Sequence, residues 1–595
     1  MGDDTILACI VRPYYIFYSM AHFHIKKKKG RPYLYIREIA RVDGKPKVIS
    51  QVYVGSPEKI AKLASGPHVE SKDFKIKVEE YGALWLAHQI DKNIDIAKIV
   101  DEVIPKQSKE LGPSVGEYFL YCIFNRMIHA VSKNKLAGWY KSTAIQQIRP
   151  TAISELTSQR YWQKWERVNE KSLNEISQRF FKRLWEVEKP ESDCLLFDTT
   201  NYYTFMASDT ESELAERGKN KEGRHNLRQI GLGLLVARES RLPLFYQLYP
   251  GNMHDSRFFQ QVMDEMFGIV CGFHKTKERL TVIFDKGMNS ENNLEWIDEH
   301  RCVHFITNYS TYFAQELASV SLDHFDIIDT SGNRRLATTI RSYDRLLAYR
   351  SSGEYWGKTR TVIVTYNPVT ARKQNYTFES KLESLRNELL IMRKRVRERE
   401  PHWRNADKVK ERYQRLCERL HISTDFFSIE LTGTRGELVM NFKKNVYAVD
   451  KIKLRFGKNI IITDNNDWST TQIVEANLDR WQVENSFRMS KDDNLVGVNP
   501  VRHWTDSKIR CHLFTCVVAL TYLRRIELRL AQQGITRSAH DVMEDMHNLH
   551  SVLLVTDGRR RPERKLEEPT KTQREVLTAF NHQVDERGVL HDVSS

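Results

Sequence analysis

Three acidic residues stand where carboxylates could bind metal ions. Asp198 ends the apolar run LLF, Asp285 ends the apolar run TVIF, and Glu484 lies within the helical segment RWQVENSF. Acids that follow strands lie at the edge of a sheet, where α/β domains bind ligands. Hard divalent cations prefer oxygen ligands, and two such ions about 3.5–4 Å apart support in-line phosphoryl transfer. Together the acids predict this chemistry, although each alone is typical of a turn, a cap or a solvated helix.

The segment that carries Glu484 also carries cations at helical spacing. If 469–491 forms one helix, then Asn477, Arg480, Glu484 and Lys491 fall within an arc of roughly 60° at 100° per residue. Guanidinium and ammonium groups on that face could bind the phosphates of a strand entering the site. The other interpretation is an exposed face on which Arg480 and Glu484 form an i,i+4 ion pair.

In this order and spacing, the residues resemble the Asp-Asp-Glu transposases of bacterial insertion sequences. The resemblance rests on the segments LLFDTT, VIFDKGMNS, YPGNMHDSRFF and Arg480-x3-Glu484-x6-Lys491. It is greatest for the subgroup whose last catalytic helix bears a Tyr-x2-Arg-x3-Glu-x6-Lys signature, although Asn477 stands where that signature has Tyr. The similarity covers about 194–310 and 456–530.

The resemblance implies a ribonuclease-H-like catalytic domain in which Asp198, Asp285 and Glu484 bind two Mg²⁺ ions, with Mn²⁺ as a substitute. It also implies that Arg480, Lys491 and, more weakly, Asn477 contact DNA. Such an enzyme binds the terminal inverted repeats of its own insertion sequence, cuts the ends and joins them to target DNA. A homodimer would hold the two ends. The interval of roughly 200 residues between the last two acids is too long for one loop and resembles family members with a large insertion there.

The hydrophobic pattern predicts an α/β fold with a mixed sheet around the acids. Three β-type runs within 194–250 are followed by alternating helices and strands. The inserted region contains β-like pieces and a charged helical hairpin. Its apolar seams are Leu382, Leu385, Leu389, Met392 and Val396, and then Val409, Tyr413, Leu416 and Leu420.

Changes in pattern divide the chain into six regions. They are an N-terminal basic β-hairpin region (1–73), an all-helical module for DNA binding or dimerisation (74–190), the first part of the catalytic domain (191–310), a mixed insertion (311–455), the second part of the catalytic domain (456–555), and a basic flexible C-terminal tail (556–595).

Positive charge is concentrated in two segments. The chain has 92 Lys and Arg against 77 Asp and Glu, a net charge of +15. Residues 24–49, which include Lys26, Lys27, Lys28 and Lys29, and residues 372–420 each carry a net charge of +7. Clusters of this kind predict a polyanionic partner, here double-stranded DNA, although either segment could equally be a solvated face.

Other functional classes find little support. No apolar run approaches the roughly 18–20 residues that span a bilayer, so we expect no membrane association. The eight scattered cysteines form no CxxC pair, which argues against a zinc ribbon and favours a reducing compartment, the cytoplasm with its nucleoid. No GxxxxGK[ST], GxSxG or HExxH motif occurs. Two alternatives to a transposase stay open: a ribonuclease-H-like DNA nuclease without strand transfer, and a catalytically silent DNA-binding relative.

Overall fold

The computed structural model describes residues 20–28, 31–42, 45–57, 60–61, 74–191, 193–207, 210–218, 223–224, 226–273, 280–300, 302–434, 437–556 and 563–593. They form two compact units. The terminal unit comprises Met1–Leu84, Tyr140–Pro150 and Glu544–Ser595, and the central unit comprises Trp85–Trp139 and Thr151–Met543. The division of the chain into six domains with the boundaries drawn from the sequence stays a prediction.

The N-terminal region forms a three-stranded antiparallel sheet of β1 (Met20–Lys28), β2 (Arg31–Val42) and β3 (Lys45–Gly55). The β2–β3 pair is where the sequence predicts a hairpin, although its Asp43-Gly44 turn lies outside the described residues. β4 (Phe74–Glu80) follows. The prediction that 74–190 is all helical is therefore wrong at its start, because FKIKVEE alternates apolar and polar residues as a strand does.

Seven helices follow β4 in the described part of the chain. They are α1 (Gly82–Asp91), α2 (Ile96–Val103), α3 (Val115–Ile128), α4 (Leu136–Ser142), α5 (Ile145–Ile148), α6 (Ser158–Glu166) and α7 (Glu170–Glu188). Ser114 begins α3 with a reciprocal capping box to Glu117. In this arrangement the side chains of Ser114 and Glu117 each accept from the other's backbone amide, which satisfies two donors at the helix start and fixes where the helix begins.

The main sheet begins at residue 194. Its first elements are β5 (Cys194–Thr204), β6 (Glu216–Arg217), β7 (Arg228–Ala237), β8 (Pro243–Pro250), α8 (Asp255–Phe273), β9 (Leu280–Phe284), α9 (Glu291–Glu299) and β10 (Val303–Tyr309). The strands β8, β7, β5, β9 and β10 are neighbours in that order. β5 is antiparallel to β7, β7 is antiparallel to β8, and β9 is parallel to both β5 and β10.

The glycines of β7 serve packing. A Cβ atom on Gly231 would lie 2.3 Å from the ring of Tyr249, and one on Gly233 would lie 2.4 Å from the ring of Phe258. Those two rings stack with their centroids 4.0 Å apart. Gly231 and Gly233 are therefore part of a buried strand in which the missing side chains leave room for aromatic rings.

The inserted region adds strands to the same sheet. Its elements are α10 (Gln315–Ala318), β11 (Asp326–Ile327), α11 (Ser331–Ala337), β12 (Leu347–Tyr355), β13 (Lys358–Tyr366), α12 (Pro368–Arg397), α13 (Ala406–Leu420), β14 (Phe427–Thr432), β15 (Val439–Lys444) and α14 (Val446–Lys453). β16 (Lys458–Thr463) lies between β13 and β10, antiparallel to both. The side chains of β13 and β16 join those of β5, β9 and β10 in one hydrophobic core, whereas β14 and β15 form a separate two-stranded sheet.

The charged helical hairpin is confirmed. The residues Leu382, Leu385, Leu389, Met392 and Val396 of α12 are buried, as are Val409, Tyr413 and Leu416 of α13. They form a separate core with the β14–β15 pair and α14. A local 3-4 spacing predicted this packing because both halves of the seam lie within two adjacent helices.

The chain ends with α15 (Thr470–Leu478), α16 (Trp481–Lys491), α17 (Asp506–Ala531), α18 (Ala539–His547), β17 (His550–Thr556), β18 (Glu563–Leu566), α19 (Lys571–Ala579), β19 (His582–Val584) and β20 (Leu590–Asp592). β17 is the middle strand of a sheet with β18 and β4. No helix in these described ranges is long and apolar enough to cross a membrane.

Two predictions for this part of the chain are wrong. The expected flexible tail is ordered over 563–593, where a capping box between Thr570 and Gln573 begins α19. The expected single helix over 469–491 is broken at Asp479 and Arg480. There the amides of Arg480, Gln482 and Val483 bond to carbonyls three residues earlier, which tightens the turn.

Candidate active site

The first two acids lie on adjacent parallel strands. Leu196 of β5 pairs with Ile283 of β9, where the ladder ends. Continuing that register by two positions brings Asp198 opposite Asp285, the residue directly after β9. Neighbouring strands are about 4.8 Å apart, so the register alone brings the two acids close together. Asp198 lies within β5 rather than at its end, because the strand continues to Thr204 along β7.

Asp198 and Asp285 differ in their surroundings. Asp198 is buried, with 9 % of its surface exposed, and its Oδ1 accepts a hydrogen bond from the Thr199 amide at 2.8 Å. Asp285 precedes the 3₁₀ turn Lys286–Met288 and does not cap it with its side chain. Instead its Oδ1 accepts a bond of 2.6 Å from Nη1 of Arg480.

Glu484 lies in the first turn of α16 and is exposed. Its Oε1 is 3.7 Å from Nη2 of Arg480, so one guanidinium contacts the second and third acids together. The i,i+4 ion pair that the sequence allowed is therefore present, and it is part of the site. The structure brings together three acids that are distant in the chain.

An open cleft of about 740 Å³ contains this cluster. Four of its lining residues are carboxylates and three are cations, so the cleft has a small excess of negative charge. Its lining residues are Asp198, Thr199, Thr200, Asp285, Arg480, Glu484, Phe487, Arg488, Lys491 and Asp492. Five of these residues were not predicted from the sequence: Thr199, Thr200, Phe487, Arg488 and Asp492. Of these, Arg488 follows Glu484 by four residues on the same helix, and that spacing was the available signal.

A buried hydrogen bond connects the strand of Asp198 to the helix of Glu484. The hydroxyls of Tyr202 and Ser490 are 2.7 Å apart, and Ser490 Oγ also donates to the Phe487 carbonyl at 2.7 Å. Since the single hydroxyl hydrogen of Ser490 is used by Phe487, Tyr202 donates to Ser490. Burial raises the pKa of Tyr202 above its usual value, which keeps this donor protonated. The ammonium of Lys491 lies 5.8 Å from the centroid of the same ring.

Two further contacts position α16. Nε of Arg238, just after β7, donates to Oδ2 of Asp479 at 2.7 Å, at the break between α15 and α16. After α16 the chain returns to β5, where the amide of Val501 donates to the Tyr203 carbonyl at 2.9 Å. The helix is thus held at both ends by the strands that carry or adjoin Asp198.

The remaining DNA-contact predictions have different outcomes. Asn477 is absent from the cleft lining, and its Oδ1 is buried with no hydrogen-bond partner in the described residues. The helix break between Asn477 and Glu484 explains this, because the 100° arithmetic fails across it. Lys26 and Lys27 are exposed on β1, the side chain of Lys28 lies outside the described part of the structure, and Lys29 lies wholly outside it.

The three carboxylates of the cleft are suitable ligands for a hard cation, although their oxygens do not converge on one coordination site. Asp198, Asp285 and Glu484 offer only carboxylate oxygens, which are the ligands that Mg²⁺ and Mn²⁺ prefer. Over the described ranges, no group of three or more His, Cys, Asp or Glu side chains is arranged to hold a metal ion. The Arg480 guanidinium supplies a physical reason, since it already neutralises Asp285 and Glu484.

Comparisons with known proteins give the family. Residues 190–522, more than half of the chain, match the family described as Transposase DDE domain. A piggyBac transposase, solved as a synaptic complex with hairpin DNA, aligns with 78% of this chain and 79% of its own at 9% identity and a TM-score of 0.35. A score this low supports no conclusion about this chain. No curated protein matches it.

The family match and the acid-lined cleft define the class of protein, a transposase. The chain belongs to the family described as Transposase DDE domain, and the matched residues begin just before β5 and end within α17.

Proposed function

We propose that the protein binds the terminal inverted repeats of its own insertion sequence, cuts the ends and joins them to target DNA. The observation that carries this proposal is that Asp198, Asp285 and Glu484, which are all far apart in the chain, line the same cleft. The cations beside them support the subgroup with the Arg-x3-Glu-x6-Lys signature, with Asn477 in the place of its Tyr.

We propose a ribonuclease-H-like fold for the catalytic domain. The support is the strand order β8–β7–β5–β9–β10, with an antiparallel β5–β7–β8 meander and with β9 and β10 parallel to β5. In this arrangement the first acid lies on the central strand and the second lies directly after its parallel neighbour. The inserted region extends the same sheet through β16 and β13.

Asp198, Asp285 and Glu484 would hold two Mg²⁺ ions, with Mn²⁺ as a substitute. Bound there, the ions would activate an attacking oxygen and stabilise a leaving one in phosphoryl transfer. The buried position of Asp198 and the Tyr202–Ser490 bond keep the ligands on a rigid support.

The cations of the cleft position DNA in this proposal. Lys491 and Arg488 lie on the helix of Glu484 and line the same cleft, where they bind phosphates of the DNA end. Arg480 has two roles. It neutralises Asp285 and Glu484 as the structure shows, and it contacts a phosphate when cations take over that neutralisation.

Further DNA contacts come from the two basic segments. Lys26 and Lys27 are exposed in β1, and Arg397, Lys408 and Lys410 are exposed on the helical hairpin. Their positive charge favours duplex DNA from the ends or the target. We propose that a homodimer holds two ends and that the protein acts on the nucleoid in the cytoplasm.

The test is a cleavage and joining assay on a labelled duplex that carries the terminal repeat flanking the gene. We expect activity with Mg²⁺ or Mn²⁺, inhibition by Ca²⁺, and no cleavage by Asp198→Ala, Asp285→Ala or Glu484→Gln, all of which still bind the duplex. Glu291→Gln, an exposed carboxylate in the first turn of α9, is the matched control and stays active.

Each other result points to a defined alternative. Cleavage without joining identifies a nuclease, and specific binding without cleavage identifies a catalytically silent relative. Near-normal cleavage by any one acid variant removes that residue from the ligand set, and robust joining in EDTA excludes the metal mechanism.

A further inference from the structure

The N-terminal sheet has two chemically different faces. In an antiparallel sheet, residues directly opposite one another point to the same side, and sides alternate along each strand. Tyr35 of β2 pairs with His24 of β1 and Tyr53 of β3, so these three share one side. We call this the tyrosine face. Its described members include His22, His24, Lys26, Tyr33, Tyr35, Arg37, Gln51 and Tyr53, and Ile39 and Val48 continue the same side further along the strands.

The three tyrosines form a contiguous aromatic surface. The ring of Tyr53 lies 5.3 Å from that of Tyr35 and 6.2 Å from that of Tyr33, tilted by about 50° to each. Tyr53 is 52% exposed, so its ring is accessible and is not part of a core. Cross-strand aromatic pairs stabilise a sheet, and a contiguous aromatic patch that stays exposed is also typical of an interaction site.

Positive charge surrounds the tyrosines. Lys26 is opposite Tyr33, and Arg37 follows Tyr35 on the same side, where it donates to Gln51 at 2.9 Å and 3.1 Å. Partial desolvation and then repulsion from Arg37, His22 and Lys26 lower the pKa of His24, which shows how close these groups are. Among the described residues of the three strands, Glu38 is the one acid, and its register places it on the other face.

The opposite face differs in character. It carries Phe23, Ile25, Leu34, Ile36 and Val52, and towards the strand ends it also carries Lys27, Lys45 and Lys47. Val52 is 57% exposed and lies beside Tyr53 in β3. Both faces are accessible and carry cations, and the cluster of contacting aromatic rings distinguishes the tyrosine face.

We propose that the tyrosine face binds unpaired DNA, with bases stacked on Tyr33, Tyr35 and Tyr53 and with Lys26 and Arg37 on the phosphates. The proposal rests on the proposed function, since it names a second form of DNA that the transposase holds. Every base has a π face, so stacking of this kind tolerates any sequence.

The aromatic cluster favours unpaired over duplex DNA. In a duplex each base is covered by its neighbours, and side chains on a flat sheet reach only the backbone and groove edges. Splayed bases can instead lie on aromatic rings presented by a sheet, as in the sheet platforms that bind single strands. Cations alone would suffice for duplex binding, whereas the tyrosines add affinity only where bases are unstacked.

The test measures fluorescence anisotropy of the full chain with a labelled 20-nucleotide oligothymidylate, which cannot pair, and with a 20-base-pair duplex. Stacking contributes about 1–3 kcal/mol per base, so we expect Tyr53→Ala to weaken oligothymidylate binding by about 5–100-fold and duplex binding by less than about 2-fold. Tyr53→Phe keeps the ring and should bind normally. Arg37→Gln should reduce the salt slope for the single strand by ~0.7.

Val52→Ala is the matched control, because it truncates the neighbouring residue on the other face and should leave both affinities unchanged. Equal losses for single strand and duplex in Tyr53→Ala would overturn stacking, and normal affinity in both Tyr53→Ala and Tyr33→Ala would overturn the surface itself. Terminal-repeat cleavage by the unaltered protein is measured in parallel. If the unaltered protein cleaves the terminal repeat but the tyrosine variants bind oligothymidylate normally, only the stacking surface is contradicted. If the tyrosine variants lose oligothymidylate binding but the unaltered protein does not cleave, only the proposed transposase activity is contradicted.

Discussion

Arg480 occupies the space between two of the three acids of the cleft. Its guanidinium is 2.6 Å from Asp285 and 3.7 Å from Glu484, and its side chain is largely buried. A positive group there offsets the repulsion between the two carboxylates, so any cation that binds them competes with it. The same side chain must then move away, towards the DNA phosphates that enter the cleft.

This competition gives a prediction at the level of one residue. Arg480→Ala should bind Mn²⁺ about 3–10-fold more tightly in calorimetric titration, since an ion pair of roughly 0.7–1.4 kcal/mol no longer opposes the metal. It should nevertheless lose most terminal-repeat cleavage, because the DNA end is misplaced. Arg502→Ala, an exposed cation outside the cleft lining, is the control. Weaker Mn²⁺ binding by Arg480→Ala would show that the arginine organises the acids for the metal instead.

A second residue gives a pH-dependent prediction. Burial acts to raise the pKa of Glu110, but hydrogen bonds from Lys164, the Gln107 amide and Arg167 outweigh it and lower this pKa to about 2. A depressed carboxyl pKa stabilises the fold above the unfolded value near 4.5, and that stabilisation is lost as the pH falls towards 2. Glu110→Gln should therefore lower the free energy of unfolding at pH 7 by about 1.5–3 kcal/mol.

The difference between Glu110→Gln and the unaltered protein should shrink when denaturant unfolding is repeated between pH 4.5 and pH 2.5. Glu102→Gln removes an exposed partner of Arg179 and should change stability by less than about 1 kcal/mol at any pH. If Glu110→Gln lowers the free energy of unfolding by the same amount at every pH, then Glu110 stabilises the fold through its packing and not through its charge.

At the scale of elements, local sequence patterns predicted those strands and helices whose formation depends on nearby residues, and they did not predict features that depend on distant contacts. The strands bearing Asp198 and Asp285, and the buried seam of α12 and α13, follow from periodicity within one or two adjacent elements. The break between α15 and α16 does not, because it coincides with a contact between Asp479 and Arg238, which is remote in the chain. For the same reason, the Arg480 bridge to Asp285 could not be read from helical spacing.

The bond between Tyr202 and Ser490 allows a test of how α16 is positioned. Tyr202→Phe removes one buried hydrogen bond and should lower the free energy of unfolding by about 1 kcal/mol. If that bond keeps Glu484 in place relative to Asp198, a displacement of about 1 Å should reduce cleavage by about 100-fold. Both are measured on the same sample, by denaturant unfolding and by single-turnover cleavage.

Ser490→Ala should reproduce the loss of cleavage, since it removes the acceptor of the same bond. Tyr203→Phe, on the neighbouring residue of β5, is the control and should cleave normally. If Tyr202→Phe loses stability but cleaves at the normal rate, then the hydrogen bond stabilises the fold and does not position Glu484 for cleavage.

At the scale of the whole molecule, the terminal unit is assembled from both ends of the described chain. β17 pairs with β4 from His550–Glu80 to Thr556–Phe74, and on its other side it pairs with β18. The sequence-based predictions place β4 in a helical module and β18 in a flexible tail, and no local pattern can show a pairing between segments separated by most of the chain. The contact is therefore one that only the folded structure reveals.

Because β4 and β17 pair in this sheet, we expect a change in β17 to destabilise β4. Leu553 lies in β17 opposite Lys77 of β4 and Arg564 of β18. Leu553→Pro removes a backbone donor from a central strand, at a cost of about 3 kcal/mol or more. Peptide-resolved hydrogen exchange should then show faster exchange in 74–80 as well as in 550–566. Leu553→Ala, which keeps the amide, should leave 74–80 protected, and unchanged protection of 74–80 in the proline variant would contradict the coupling.

The β4–β17 pairing also determines when the terminal sheet can form during translation. A ribosome adds about 5–20 residues per second, so on the order of 25–95 s pass between the synthesis of β4 and that of its partner strand. During that time β4 has no β17 to pair with, while nearly all of the central unit has already left the ribosome. A complete terminal unit can therefore form only after β17 has been made, and a message that is cut short before β17 yields a chain whose terminal sheet cannot close.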